Sequence, residues 1–159
     1  DLAAAVDFIR PDVASVFIAG FGFGGALALR TAALDPAIGG VAAVGTPSDL
    51  LDAASDVDLL VARAASSGYL PAGEPEDLDR WPEDLASIDP LGSAAAIPPR
   101  PLLIVHGSHD PDVALVDARA LSDAALGRAE LRIVPMAGHR LRHDPRAVAL
   151  LLGWLQRHG

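Results

Sequence analysis

Ser15-Val16-Phe17-Ile18-Ala19-Gly20-Phe21-Gly22-Phe23-Gly24-Gly25 is the stretch on which the fold turns. Its first five residues are a short apolar run with β-branched members, the composition of a strand buried on both faces. The glycines from Gly20 to Gly25 turn the chain, and Ala26 to Leu34 reads as a helix that Asp35-Pro36 ends. A strand, a glycine turn and a helix in direct succession are the start of an α/β unit. The turn itself has three readings. Gly20, Gly22 and Gly25 fit G-x-G-x-x-G, whose glycines let a dinucleotide pyrophosphate approach a helix N-terminus. That reading needs an acid about 20 residues on, at the end of the next strand, where the chain reads Val44-Gly45-Thr46-Pro47. The same residues fit the nucleophile elbow G-x-S-x-G with Gly22 in place of serine. The third reading is a tight glycine turn that does no chemistry.

Outward from this stretch the alternation continues. Leu2, Val6 and Ile9 repeat at helical spacing before Pro11. Val41-Ala42-Ala43-Val44, Leu102-Leu103-Ile104-Val105 and Leu131-Arg132-Ile133-Val134 read as three further strands. Val113, Val116, Ala120 and Ala124 mark a helix. Asp144-Pro145 is an N-cap followed by proline at the first helical position, ahead of the amphipathic Val148, Leu151, Leu152 and Leu155. The expected fold class is α/β, a parallel sheet with right-handed crossovers and helices on both faces. Residues 1–159 read as one domain. Within it, the proline-broken segment 49–99 is a candidate cap or lid.

The third strand runs into His106-Gly107-Ser108-His109-Asp110, and the fourth into Met136-Ala137-Gly138-His139. These motifs, in this order after the glycine turn, resemble the α/β-hydrolase family, and above all its esterase and serine-peptidase-like members. The resemblance covers the chain from the helix before the elbow onward, as the last four strands of a larger sheet. It implies that Gly22 stands at the nucleophile position, that Asp110 orients an imidazole, and that His139 is the general base. It also implies that the Phe23 N–H, at the helix N-terminus, supports an oxyanion. Asp112 is the second candidate for the acid. His106 and His109 read as turn residues. His106-x-x-His109-Asp110 with His139-x-x-x-His143-Asp144 can also be drawn as a metal site, although the resemblance implies neither metal nor organic cofactor.

Two departures from the family pattern matter. Gly22 offers no hydroxyl or thiol, which closes covalent acyl transfer by the usual route. The change is an engineered substitution, a natural one that makes a pseudoenzyme, or a sign of chemistry carried by another group. Thr46 and Ser48 are the candidates for a relocated nucleophile. The second departure is the number of strands. In the family's order the strand before the elbow pairs with one from the N-terminal half, so Val16–Ala19 is left as an apolar edge. That half, or a second copy in a homo-oligomer, is expected to cover it. The chain opens on Asp1 and not on methionine, from which an upstream extension is expected.

Composition limits the rest. The 159 residues contain no cysteine, which excludes disulfides, thiol nucleophiles and zinc-thiolate sites. No leader or membrane span is expected, and a cytoplasmic location is. The net charge of −9 argues against nucleic acid. Eleven acids and two arginines between Asp49 and Pro90 account for all of it. Over an active site that charge favours neutral or cationic ester or amide substrates; elsewhere it is a solvated surface. Phe21, Tyr69 and Trp81 are candidates for an apolar pocket wall, and Trp154 for core packing.

Overall fold

The computed structural model describes residues 2–50, 62 and 81–159. Four strands form one parallel sheet in the order β1-β2-β3-β4: β1 (Phe17–Phe21), β2 (Gly40–Val44), β3 (Leu102–Gly107) and β4 (Glu130–Val134). The described helices are α1 (Leu2–Ile9), α2 (Phe23–Leu34), α3 (Trp81–Ala86), α4 (Pro90–Ala96), α5 (Leu115–Ala124) and α6 (Pro145–His158). Strands β2, β3 and β4 and helices α2 and α5 fall where the hydrophobic patterning places them, whereas β1 lies two residues beyond the expected Ser15–Ala19, because its ladder to β2 takes Gly20 and Phe21 into the strand. The helix after the turn begins at Phe23, three residues earlier than the apolar spacing alone implies, because the glycines of the turn also serve as its first residues.

The central strands are buried on both faces, and their side chains alternate between two cores. Val41, Ala43, Leu102 and Ile104 point to one core, closed by Val6 of α1, Ala28, Leu29 and Ala32 of α2, Ala94 of α4, and Ala118 and Leu121 of α5. Ala42, Val44, Leu103 and Val105 point to the other, closed by Leu141 and by Ala147 and Trp154 of α6. Trp154 packs edge-to-face on Phe17 with the ring centroids 5.6 Å apart. Helices therefore lie on both faces of the sheet. Among the described residues β1 pairs with β2 alone, and Ala19 on it is exposed. The expectation that this strand is buried on both faces thus fails at Ala19, because β1 lies at the end of the sheet.

The chain divides into two compact units, one of Asp1–Ser48 with Pro90–Gly159 and one of Asp49–Asp89. Residues 90–99 of the expected 49–99 cap segment belong to the first unit, since Ala94 and Ile97 are wholly buried in its core. In the second unit, α3 carries Glu83 and Asp84 in its first turn, and Ser87 closes its end by donating to the carbonyls of Glu83 and Asp84. Tyr69 lies outside the described residues, as does the side chain of Trp81. Among the described residues no helix is long and apolar enough to cross a membrane.

The ladder does not stop where the strands do. Gly22 N–H donates to Val44 O at 2.8 Å, Gly45 N–H to Val105 O at 2.8 Å, and Ser108 N–H to Val134 O at 3.0 Å. One row of backbone bonds thus ties the turns that leave β1, β2 and β3 to the next strand along.

Candidate active site

Gly22 sits at the sharp turn between β1 and α2 with φ 55° and ψ −126°, a conformation in which an L side chain is strained. The turn is also crowded. A Cβ at Gly20 would run into the backbone of Gly24, and one at Gly25 into the Thr46 hydroxyl. The first residue of α2 is Phe23, whose N–H is one of the donors that no carbonyl of the helix accepts. Phe23 is 47% exposed, whereas Phe21 is half-buried against the core beneath α6.

The turn after β3 presents Asp110. Its side chain is fully buried, and one carboxylate oxygen accepts N–H bonds from Asp112 at 2.9 Å and Val113 at 3.0 Å. The other oxygen, Oδ2, accepts from His139 Nδ1 at 2.9 Å. Burial acts to raise the Asp110 pKa, but the donors at Val113, His139 and Asp112 outweigh it and hold the carboxyl below its ordinary value. Asp110 is therefore an anion at neutral pH. It fixes the neutral imidazole as the Nδ1–H tautomer, which leaves Nε2 as an acceptor.

His139 lies in the turn after β4, and its Nε2 faces the elbow. A Cβ built on Gly22 would lie 3.4 Å from Nε2 and 3.7 Å from Cε1. Residues 22, 110 and 139, three positions singled out from the sequence, thus meet at the C-terminal edge of the sheet.

The remaining candidates are placed elsewhere. The Asp112 carboxylate is exposed, and it is Asp110 that bonds the imidazole. Donor atoms of Asp110, Asp112 and His139 come within 4.8 Å of one another. Both Asp110 oxygens are already engaged by N–H groups. In the wider set drawn as a metal site, His106 Nε2 donates to Val113 O at 3.1 Å, His109 Nδ1 bonds the Ser108 hydroxyl at 2.8 Å, His143 Nε2 accepts from Arg142, and Asp144 pairs with Arg146. Thr46 is 2% exposed, and its buried hydroxyl has no hydrogen-bond partner among the described residues. The Ser48 hydroxyl donates to Asp117 at 2.7 Å. Neither is placed to meet a substrate as a relocated nucleophile.

Three features escape sequence reading. His106 is fully buried, and its Nε2 lies 3.8 Å from Asp110 Oδ2. It supports the acid turn from below through the Val113 carbonyl, a contact that only the closed loop creates. Gly45, at φ 59°, lies under the pair, with its Cβ direction 3.8 Å from both Asp110 Oδ2 and His139 Nδ1. The lone signal for it was the glycine that ends the second strand. Finally, an open cavity of about 410 Å³ lies beside His139, lined by His109, Pro111, Asp112, Gly138, Arg140 and Asp144 among others.

The topology also speaks against dinucleotide binding. In that fold the fourth strand returns to the far side of the first, whereas here the four strands follow in sequence order.

Comparison with known proteins gives the fold a lineage. No curated protein sequence matches the chain. Among solved structures, the esterase domain of a Rhodothermus marinus protein superposes with a TM-score of 0.73 at 24% identity, over 99% of this chain and 68% of that one. A Pyrococcus furiosus esterase gives 0.68 at 19% identity, over 100% and 61%. The acylaminoacyl peptidase of Pyrococcus horikoshii gives 0.66 at 18% identity, over 99% and 27%. This chain therefore spans between about a quarter and two thirds of those three structures. The sequence pattern of the prolyl oligopeptidase family matches residues 2–159, and the chain accordingly belongs to that family, within the α/β-hydrolase fold.

Proposed function

We propose that this chain carries the acyl-transfer site of an ester or amide hydrolase, with its covalent step disabled at Gly22. The observation that supports this most is the line from the buried Asp110 through His139 to the space above Gly22, with 2.9 Å at the first step and 3.4 Å at the second. In the parent chemistry a serine at 22 attacks the carbonyl, and His139 takes its proton and later gives it to the leaving group. Asp110 holds the ring, and the Phe23 N–H stabilises the oxyanion. Without a hydroxyl at 22 the remaining groups act as base and oxyanion donor only.

Gly22 itself favours a second reading, a pseudoenzyme that binds acyl compounds or serves as a scaffold without cleaving them. Hydrolysis of p-nitrophenyl acetate before and after Gly22→Ser separates the two. The hydrolase reading expects a gain of about 1,000-fold or more in Gly22→Ser, abolished by adding His139→Ala. A folded Gly22→Ser chain, shown by an unfolding transition like that of the native chain, with no gain supports the scaffold.

A further inference from the structure

We propose that His106 is a positioning residue for the site, acting through Val113 and Asp110 on the imidazole of His139. This rests on the reading of 22, 110 and 139 as an acyl-transfer site. It adds a further side chain to that site and names the atom by which it acts, the Nε2–H.

His106 occupies a place where packing alone asks for an aliphatic side chain. It lies on β3 two residues past Ile104, in register with Ile133 of β4. By the alternation of a strand it continues the row of Leu102 and Ile104, whose side chains fill the core. Its own side chain is fully buried. An imidazole there takes two polar nitrogens out of water, which costs stability unless they are bonded. Nε2 donates to Val113 O at 3.1 Å, whereas Nδ1 has no partner among the described residues. A proton moved to Nδ1 would leave a buried N–H without an acceptor and set the Nε2 lone pair against the Val113 carbonyl. The ring is therefore the Nε2–H tautomer.

Val113 is the joint between His106 and the acid. Its carbonyl accepts from His106, and its N–H donates to Asp110 Oδ1 at 3.0 Å. Burial acts to raise the Asp110 carboxyl, and the Val113 N–H leads the donors that outweigh it. Asp110 Oδ2 in turn accepts from His139 Nδ1 at 2.9 Å. A chain of hydrogen bonds thus runs from β3 to the imidazole. His106 Nε2 also lies 3.8 Å from Asp110 Oδ2, too far to bond it, so His106 acts by holding the loop.

Without the Nε2–H the Val113 carbonyl loses its donor and the loop from Asp110 to Val113 is free to turn. The Asp110 side chain is fully buried, so solvent does not replace an N–H that turns away. Asp110 then holds the Nδ1 proton of His139 less firmly. That proton spends part of its time on Nε2 instead, where it blocks the nitrogen that serves as base.

The test is the long-range proton–nitrogen correlation spectrum of the histidine rings in alkaline buffer, for the native chain, His106→Gln, His106→Asn and His106→Leu. A glutamine amide reaches the place of Nε2, an asparagine amide falls short of it, and leucine packs without a donor. The native chain should show His106 as Nε2–H and His139 as Nδ1–H. His106→Gln should keep the His139 tautomer, and the Asn and Leu variants should give a mixture of both. Placed in Gly22→Ser, Asn and Leu should lower kcat on p-nitrophenyl acetate about 10- to 100-fold with KM unchanged, and Gln much less. A role in packing alone predicts the opposite order, with Leu ahead of Gln. A native His106 protonated on Nδ1, a His139 that stays wholly Nδ1–H with Asn and Leu, or a Leu variant that matches Gln would each overturn the proposal. Where Asn and Leu do not fold, the native spectrum and the Gln variant decide, and loss of the His139 Nδ1–H state in folded His106→Gln overturns it. The hydrolase reading fails separately. If Gly22→Ser is silent while the His139 tautomer follows residue 106, that reading falls and the positioning stands. If Gly22→Ser turns over the ester equally well with Gln, Asn or Leu at 106, the positioning falls and the reading stands.

Discussion

Asp110 is the residue on which the chemistry and the stability of the site meet. Its carboxyl is held below the ordinary value of about 3.9 against the effect of burial, by Val113, His139 and Asp112. A carboxyl whose folded pKa is depressed contributes stability that is fully present above the unfolded value and is lost as pH falls through the folded one. The unfolding midpoint should therefore be flat from neutral pH down to about 5 as far as this group is concerned, and drop below about 4. Asp35 and Asp144 titrate in the same direction, Asp144 with its pKa lowered to about 2 by the Arg146 guanidinium. The share of Asp110 is thus the difference between the acid limbs of the native chain and of Asp110→Asn in thermal melts. Identical limbs would remove the carboxylate from its assigned place. The role of Asp110 was legible because H-G-x-x-D after a strand is a pattern with a mechanism. The support it receives from His106 and Gly45 was not, because both act through contacts between turns far apart in sequence.

At the scale of elements, a helix and a strand illustrate what pattern can and cannot reveal. Helix α6 was legible from end to end. Asp144 caps it by accepting the Arg146 N–H at 2.9 Å, and its apolar stripe delivers Trp154 into the core at 1% exposure. Trp154→Ala should cost about 3–5 kcal/mol in denaturant unfolding, with the slope unchanged; a loss below 1 kcal/mol would show that the helix does not close this face. Strand β1 was legible as a strand, since it is apolar and ends in a glycine turn. Its position at the end of the described sheet was read from the family's strand order, because periodicity reports which face a side chain takes and not which neighbour a strand has. Its backbone and the exposed Ala19 offer an apolar edge. The 159-residue chain should therefore associate in solution, and Ala19→Lys should shift it toward monomer in sedimentation velocity. A native chain that is monomeric at every concentration would contradict this.

For the whole molecule, the hydrogen-bonded row along the strand ends has a kinetic consequence. Gly22, Gly45 and Ser108 each hang from the neighbouring strand, so none of these turns can open without parting the sheet beneath it. Their amides should exchange with deuterium at the rate of global unfolding, as slowly as those of Ala43 and Ile104 in the core. Exchange of the Gly22 amide well ahead of the core would reveal a hinge at the elbow. The turns that carry Gly22 and Asp110 therefore move with the sheet and not apart from it. The elbow and the acid turn are thus held in place by the same sheet that forms the core, and their spacing is settled when the chain folds.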